Sequence, residues 1–308
     1  KLSTDGTVAL KSISFSNNGK YAAYAISRSG SDWQEFYVID TNSGKLLNDH
    51  IKWAKFSNAA WLGDGFYYSA YDAPSPGNEL SNVNSVQKIY YHKIGTPQSE
   101  DILFYQNPEQ PMRFYTLGVN EDETMMFLIE SGAGQGNGLY VRNLKQEGSQ
   151  FIQLNANLEA QCNPIKTIGD KIYILTNEKA PTNKLVVTDI HHPSKADWKT
   201  VIPANSNVLE DVAFVDGKLI LTYMQDAYSH SYLYSIDGKQ LKEIKLPTVG
   251  SASFTGNYER PEVFYSFTSF TEPTSVYQYN VNTNTSTTYT SPKVKFDKNR
   301  SEEHTSEL

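Results

Sequence analysis

The sequence predicts an all-β fold built from repeated units of four antiparallel strands. Tyrosine and phenylalanine are frequent, with 21 and 14 residues, and both favour strands. Asn, Asp and Gly recur at tight turns between short apolar runs, where they tolerate a positive φ. The order strand, turn, strand, loop, strand, turn, strand occurs six times at intervals of about 40 to 60 residues, which is typical of propeller blades. We therefore predict a β-propeller, because a β-sandwich would need long-range pairing to give this regularity.

The first two units show the pattern most fully. The strands predicted for the first unit are Ile13–Phe15, Tyr21–Ile26, Phe36–Ile39 and Lys45–Leu47, and those for the second are Trp53–Ser57, Phe66–Tyr71, Gln87–His92 and Ile102–Tyr105. In the second unit, Trp53–Ser57 and Phe66–Tyr71 are expected to form a hairpin around a Leu-Gly-Asp-Gly turn. A long polar loop with Pro74 and Pro76 then precedes the third strand.

Four further units follow with the same organisation. They span Phe114–Leu154, Pro164–Ile202, Val208–Leu246 and Ser251–Ser291. Gly-Asp and Asp-Gly dipeptides mark the first turns of the fourth and fifth units, and Asn282–Asn284 marks the second turn of the sixth. Long amphipathic helical patterns are absent from the sequence, so an all-β chain is expected.

Charge and composition exclude several classes of partner. The net charge is −7, with 27 basic and 34 acidic residues spread without blocks, so neither nucleic-acid binding nor membrane-surface binding is indicated. No apolar run approaches the ~20 residues of a spanning helix, and the first residues show no signal-peptide pattern. The single cysteine, Cys162, is predicted to be a buried structural thiol.

The remaining candidates for chemistry have simpler structural explanations. No serine lies in a Gly-x-Ser-x-Gly frame, so a nucleophile elbow is not predicted. His191-His192 lacks companions at ligand spacing, and no metal is predicted. The glycine-rich stretch Ser131–Tyr140 precedes a strand, so we interpret it as a flexible inter-strand loop and predict no cofactor. Glu100-Asp101 and Glu121–Glu123 are expected to be solvated acids at turns.

One stretch, Lys52–Tyr105, carries a specific family signature. It reads WAKFS…AW…GFYYSAYDAP…QKIYYHKIGTPQSEDIL. This ordered set closely resembles the second-blade region of prolyl oligopeptidases, which are serine peptidases that cut short peptides after proline. The resemblance extends through GSDW, LEDVAFVDGKLILTYMQDA and EVFYSFTSFTEPTSVYQYNV, and so covers nearly the whole chain.

The resemblance implies a particular domain organisation. Members of the family carry a seven-bladed propeller, so six blades of an expected seven are visible and the first would precede Lys1. Residues 1–299 would form this incomplete propeller, and the first methionine, Met112, also suggests an internal start. The catalytic α/β-hydrolase domain would follow Pro292–Asp297 and is absent from this chain. Residues 300–308, RSEEHTSEL, match the translation of a sequencing-adapter read and are expected to be a foreign tail.

Four positions acquire expected roles through the resemblance alone. Asp32, in SGSDW, matches an acid that faces the hydrolase domain near an arginine of the substrate site. Phe56, in WAKFS, matches an aromatic residue lining the pocket for the residue two before the cut, although ordinary blade packing also explains it. Phe114 and Ala133 fall where relatives place further apolar contacts to that pocket. Glu130 stands where mammalian-like relatives have arginine, which leaves the local charge preference open.

The function implied is that of a non-catalytic, substrate-selecting propeller of a prolyl oligopeptidase. Its partners would be its own hydrolase domain and proline-containing oligopeptides, in a full-length monomer located in the cytosol or a bacterial periplasm. A free-standing propeller that acts as a binding scaffold is the alternative, because a fold does not fix a function. A propeller enzyme with central carboxylates is a third, and it would require acids at one matching strand position in several blades.

Overall fold

In the computed structural model, which describes residues 3–79, 81 and 83–293, the regular secondary structure is almost all β-strand. Its 24 described strands are β1 Val8–Phe15, β2 Tyr21–Arg28, β3 Trp33–Asp40, β4 Lys45–Lys55, β5 Ala60–Leu62, β6 Gly65–Ala70, β7 Lys88–Lys93, β8 Ile102–Gln106, β9 Phe114–Val119, β10 Met125–Ser131, β11 Asn137–Asn143, β12 Ile152–Asn155, β13 Cys162–Ile168, β14 Lys171–Thr176, β15 Lys184–Asp189, β16 Lys199–Ile202, β17 Val208–Val215, β18 Lys218–Gln225, β19 Tyr228–Ser235, β20 Gln240–Ile244, β21 Ser251–Gly256, β22 Glu262–Thr268, β23 Ser275–Asn280 and β24 Thr285–Thr290. Two single-turn 3₁₀ helices, Gln98–Glu100 and Lys195–Asp197, complete this part of the chain. The expected foreign tail and most of the 292–297 segment lie outside the described residues.

The strands form antiparallel sheets that follow the predicted units. Units three to six each form one four-stranded sheet, β9–β12, β13–β16, β17–β20 and β21–β24, in which consecutive strands are neighbours. This meander arrangement confirms the predicted blades, because each sheet consists of four consecutive antiparallel strands. No helix in the described ranges is long and apolar enough to cross a bilayer.

The first two units differ from the prediction in one respect. Strands β1–β8 form a single eight-stranded sheet, and its two halves meet at one pair, Ala54 with Ala70, between β4 and β6. The predicted strand Trp53–Ser57 is wrong, since β4 runs continuously through Lys55 and the hairpin partner of β6 is β5. Trp53 and Phe56 have φ of 61° and 51°, so the chain turns where an extended strand was expected.

The chain consists of two compact units. The first contains Lys1–Cys162 and Ile190–Asp197, and the second contains the remainder. Within the first unit, fully buried side chains such as Phe36, Ile51 and Phe66 form the core of the eight-stranded sheet. In the second unit, inward side chains of β17–β18 and β21–β22 pack face to face, as the two-residue period of a strand requires. Cys162 is fully buried, which confirms the prediction that its thiol is buried.

Candidate functional site

The segment that leaves β4 carries an exposed aromatic side chain on an unusual backbone. Phe56 has a φ of 51° and is 50% exposed. A non-glycine residue in the left-handed region costs free energy and persists only where its surroundings fix it. Here Ser57 N donates a hydrogen bond to Gln34 Oε1 at 3.1 Å, and Gln87 Nε2 donates one to the Lys55 carbonyl at 2.8 Å. The fold therefore holds Phe56 outward from a fixed backbone.

Phe56 contacts a second residue of the expected pocket. Its ring meets that of Phe114, at the start of β9, edge to face with centroids 5.1 Å apart. This geometry is favourable for aromatic pairs. Phe114 and Ala133 both line a cavity of about 870 Å³. Three of the four residues expected from the resemblance thus lie at or beside one cavity.

The glycine-rich loop supplies one wall of this cavity. Of the predicted loop Ser131–Tyr140, only residues 132–136 connect the strands, because Ser131 ends β10 and Asn137–Tyr140 already belong to β11. Gly136 N donates to the Leu158 carbonyl at 2.8 Å. A Cβ at Gly134 would collide with the Leu158 carbonyl, and one at Gly136 with the Ala160 carbonyl. The glycines therefore allow the loop to approach the backbone of residues 158–160 closely.

Asp32 lies on the β2–β3 connection and joins this group through a lysine. Lys55 Nζ is 3.7 Å from Asp32 Oδ2, and the Asp32 side chain is 65% exposed. The same ammonium lies 5.2 Å from the ring centroid of Trp33 and 5.5 Å from that of Phe56. Both distances are within the range of cation–π attraction. Lys55 therefore links Asp32 to Phe56, and the sequence contains no pattern that would have singled it out.

Glu130 is compensated by its neighbours. Arg113 Nε is 3.6 Å from Glu130 Oε1, and the Tyr140 hydroxyl donates to Glu130 Oε2 at 3.1 Å. Arg113 also lines the cavity. A positive group is therefore present at this pocket although position 130 carries an acid.

A second charged cluster is sealed inside the eight-stranded sheet. His92 on β7 is fully buried, with Nδ1 2.7 Å from Asp101 Oδ1 and Nε2 3.0 Å from Asp49 Oδ1. Carboxylates only accept hydrogen bonds, so both ring nitrogens must donate and the imidazole is protonated. Burial alone would lower the pKa of His92, but the hydrogen bonds to Asp101 and Asp49 outweigh it and raise the pKa above its usual value.

The family signature GTPQSED builds this cluster. Gly95 N donates to Asp49 Oδ1 at 2.6 Å, and the Tyr68 hydroxyl donates to Asp101 Oδ2 at 2.6 Å. Burial and the Asp101 hydrogen bond raise the pKa of Tyr68 well above its usual range. The prediction that Asp101 is a solvated turn acid is wrong, because its side chain is 2% exposed. The signature therefore supports the fold at the junction where β4 and β6 share a single pair.

Other candidates from the sequence do not assemble into a reactive site. His191 and His192 are exposed. Within the described ranges, no group of three or more His, Cys, Asp or Glu side chains is placed to hold a metal ion. His92 has both nitrogens engaged by carboxylates, so it cannot act as a base toward a serine.

Comparison with known proteins identifies the family. The prolyl oligopeptidase N-terminal beta-propeller domain matches residues 1–292, and the chain belongs to this family. Prolyl endopeptidase of Elizabethkingia meningoseptica is 38% identical over 299 residues, which are 96% of this chain and 42% of the relative. Prolyl oligopeptidase A of Amanita bisporigera is 32% identical, over 91% of this chain and 40% of the relative. The chain thus spans less than half the length of these relatives.

Solved structures agree with this assignment. One structure, from a study of two prolyl endopeptidases and their inter-domain dynamics, has a TM-score of 0.84 at 30% identity, over 96% of this chain and 43% of that chain. Prolyl oligopeptidase B from Galerina marginata, bound to a 35mer hydrolysis and macrocyclization substrate, has a TM-score of 0.85 at 27% identity, over 97% and 44%. The four-stranded sheets are therefore propeller blades of this family.

Proposed function

We propose that this chain is the substrate-selecting propeller of a larger serine peptidase that cleaves short peptides after proline. One observation carries the proposal. Asp32, Phe56, Phe114 and Ala133 are far apart in sequence, yet a chain of contacts through Lys55 and one cavity connects them. Residues with only a packing role in separate blades would not need to converge in this way.

In this proposal the propeller acts by steric exclusion. The neighbouring α/β-hydrolase domain transfers the acyl group of the peptide to its serine and then to water. The propeller covers that site, so an extended peptide enters and a folded protein does not. Exclusion of water would also strengthen the stabilisation of the oxyanion in the hydrolase domain. Asp32 would face that domain, and Phe56 would contact the residue two before the cut.

The role of Phe56 is tested by comparing turnover with stability. In the full-length protein, Phe56→Ala should lower kcat/KM for a peptide that occupies the pocket by about tenfold, because roughly 1.4 kcal/mol of aromatic contact corresponds to that factor. The free energy of unfolding should fall by less than about 1.5 kcal/mol, since the ring is half exposed. Peptide kinetics and thermal unfolding provide the two measurements.

Phe264→Ala is a matched control for this variant. Phe264 on β22 is 39% exposed and meets Tyr289 edge to face at 5.0 Å, much as Phe56 meets Phe114. This control should lose similar stability and keep the kcat/KM of the parent. If Phe56→Ala also keeps it, or if the two variants lose turnover and stability in parallel, Phe56 has only a packing role.

Exclusion of folded proteins requires a separate test. A proline-containing peptide should be cleaved by the full-length protein, whereas the same sequence within a loop of a folded protein should not be. The 308-residue chain alone should neither hydrolyse the peptide nor react with a serine-directed phosphonate, because it has no nucleophile elbow. Cleavage by this chain alone would contradict the proposal.

The domain organisation is part of the same proposal. Leu10, Ile13 and Phe15 on the edge strand β1 are each more than half exposed, which is consistent with coverage by a further blade. The full open reading frame should encode a four-stranded segment before Lys1 and a Gly-x-Ser-x-Gly motif after Asp297, without residues 300–308. A frame that instead stops near Asn299 would favour a free-standing binding scaffold.

A further inference from the structure

Lys55 has an unusual environment for a lysine next to an exposed aspartate. Its side chain is only 16% exposed, although its partner Asp32 is 65% exposed. The ammonium lies near the rings of Trp33 and Phe56, at 5.2 and 5.5 Å from their centroids. Partial removal from water strengthens the attraction between a cation and aromatic faces. The two rings and the carboxylate therefore share one positive charge.

The surroundings fix this ammonium in place. Lys55 pairs with Trp33 across β3 and β4, and its carbonyl accepts a hydrogen bond from the fully buried Gln87. Gln87 Oε1 in turn accepts from Tyr115 N at 2.6 Å, next to Phe114. Trp33 Nε1 donates to the Glu79 carbonyl at 2.7 Å, which sets the orientation of the indole ring. Both the base of the lysine and one of its aromatic partners are thus held by the fold.

Lys88 provides a comparison, because it forms an ion pair with an exposed aspartate in the same way as Lys55. Lys88 on β7 is 19% exposed and its partner Asp72 is 77% exposed, nearly the same as for Lys55 and Asp32. Lys88 Nζ lies 2.5 and 2.7 Å from the two oxygens of Asp72. Lys55 Nζ is 3.7 Å from Asp32 Oδ2, beyond hydrogen-bond distance, so Asp32 holds this ammonium less closely than Asp72 holds that of Lys88.

We propose that Lys55 is a positioning residue that orients Phe56 for the peptide substrate. This inference rests on the proposed function and adds the residue that holds its aromatic contact. The ammonium lies near one side of the Phe56 ring and the Phe114 ring packs against it edge to face, so this exposed side chain on a left-handed backbone keeps one orientation. A ring that is ordered before the peptide binds loses less entropy on binding, which favours tighter binding.

Lys55→Met in the full-length protein tests the inference, because methionine keeps an unbranched apolar chain and removes the charge. For a peptide that reaches Phe56, KM should rise about three- to tenfold, the range expected for a partly desolvated cation–π contact, with kcat within about twofold of the parent. A minimal substrate that begins at the proline should show no change. Lys55→Arg should restore the KM of the longer peptide, because a guanidinium also stacks on rings.

The matched control is Lys88→Met, which removes an equally buried lysine from an equally exposed aspartate and should leave both constants unchanged. A variant that combines Lys55→Met with Phe56→Leu should have the KM of Phe56→Leu alone, since Lys55 acts through Phe56. If Lys55→Met proves too unstable to measure, Lys55→Gln takes its place in this double-mutant cycle with Phe56→Leu.

The outcomes separate the two proposals. If the parent protein does not cleave after proline, the proposed function fails. If the parent cleaves and Lys55→Met has the KM of the parent, or raises KM for both substrates equally, the positioning role is overturned while the proposed function stands. Additive effects in the cycle with Phe56 would also overturn it.

Discussion

The first compact unit contains two clusters in which a cation contacts both aspartate and aromatic side chains, one around His92 and one around Lys55. The two clusters differ in their access to solvent. His92, Asp49 and Asp101 have side chains no more than 2% exposed. In the cluster around Lys55, the Asp32 side chain is 65% exposed and Phe56 is 50% exposed. The buried cluster has no surface left for a ligand, whereas the open cluster presents a ring and a carboxylate to solvent.

The comparison separates the residues that identify the family from the residues that we propose to contact the substrate. The signature GTPQSED belongs to the buried cluster, where Gly95 and Asp101 bind Asp49 and His92. Buried carboxylates need a cation or hydrogen-bond donors, because an uncompensated charge in the interior is costly. This requirement restricts the sequence strongly. We expect the open cluster to tolerate more substitutions, since water can solvate its polar groups.

The largest effect is expected at His92. His92→Leu leaves Asp49 and Asp101 buried without a cation, so the free energy of unfolding should fall by about 3–5 kcal/mol. Chemical denaturation of the parent and the variant provides the measurement. His50→Leu is the control, because His50 Nε2 is 2.8 Å from Glu35 but its side chain is 34% exposed. The control should cost less than about 1 kcal/mol. If both variants lost the same free energy of unfolding, burial of the His92 cluster would not explain its contribution to stability.

The pH dependence of stability provides a second, smaller effect. The pKa of His92 is raised in the folded chain above the usual 6.5. Its stabilising contribution is therefore complete below pH 6.5 and is lost as pH rises through the folded pKa, by about 1.4 kcal/mol for each unit of the shift. Denaturation curves of the parent should show this loss above neutral pH, and those of His92→Leu should lack it. A parent whose stability rises over that range would contradict the assignment.

A different group controls the acid range, so the two effects can be separated. Partial burial would raise the pKa of Glu35, but hydrogen bonds from Tyr37, His50 and Arg28 lower it to about 2. Its contribution is present above the unfolded pKa near 4.5 and is lost as pH falls toward 2. Loss of stability below pH 4.5 therefore does not report on His92.

The sequence predicted the blades well because their determinants are local. Turn residues such as Gly217 and Gly238 adopt positive φ, and the apolar runs beside them pair as hairpins. The boundary at Trp53 could not be predicted in the same way, because its left-handed backbone leaves no trace in residue type. Propensity alone favoured a separate strand there.

The candidate functional site could be predicted from the sequence only in part. Asp32, Phe56, Phe114 and Ala133 could be named through the family resemblance, and their roles stay predictions. The roles of Lys55 and of Asp101 depend on partners distant in sequence, such as Tyr68, which lies 33 residues from Asp101. No local pattern encodes such distances, so only the folded structure brings these groups together.

The smallest effect on stability is expected at Asp32, and it tests the open cluster most directly. Asp32→Asn keeps the shape of the side chain and removes a charge that is mostly exposed, so the free energy of unfolding should change by less than about 0.5 kcal/mol. In the full-length protein, the KM of a positively charged peptide should still rise about two- to fivefold at low salt, because the exposed Asp32 carboxylate attracts such a peptide over long range. That difference should shrink as salt increases, since the screening length falls from about 10 Å at 0.1 M to about 3 Å at 1 M. Asp72→Asn, which removes the equally exposed partner of Lys88, should leave KM unchanged at every salt concentration. If Asp32→Asn instead destabilises the chain as much as His92→Leu does, the cluster around Lys55 is part of the structural core and its exposure has no functional meaning.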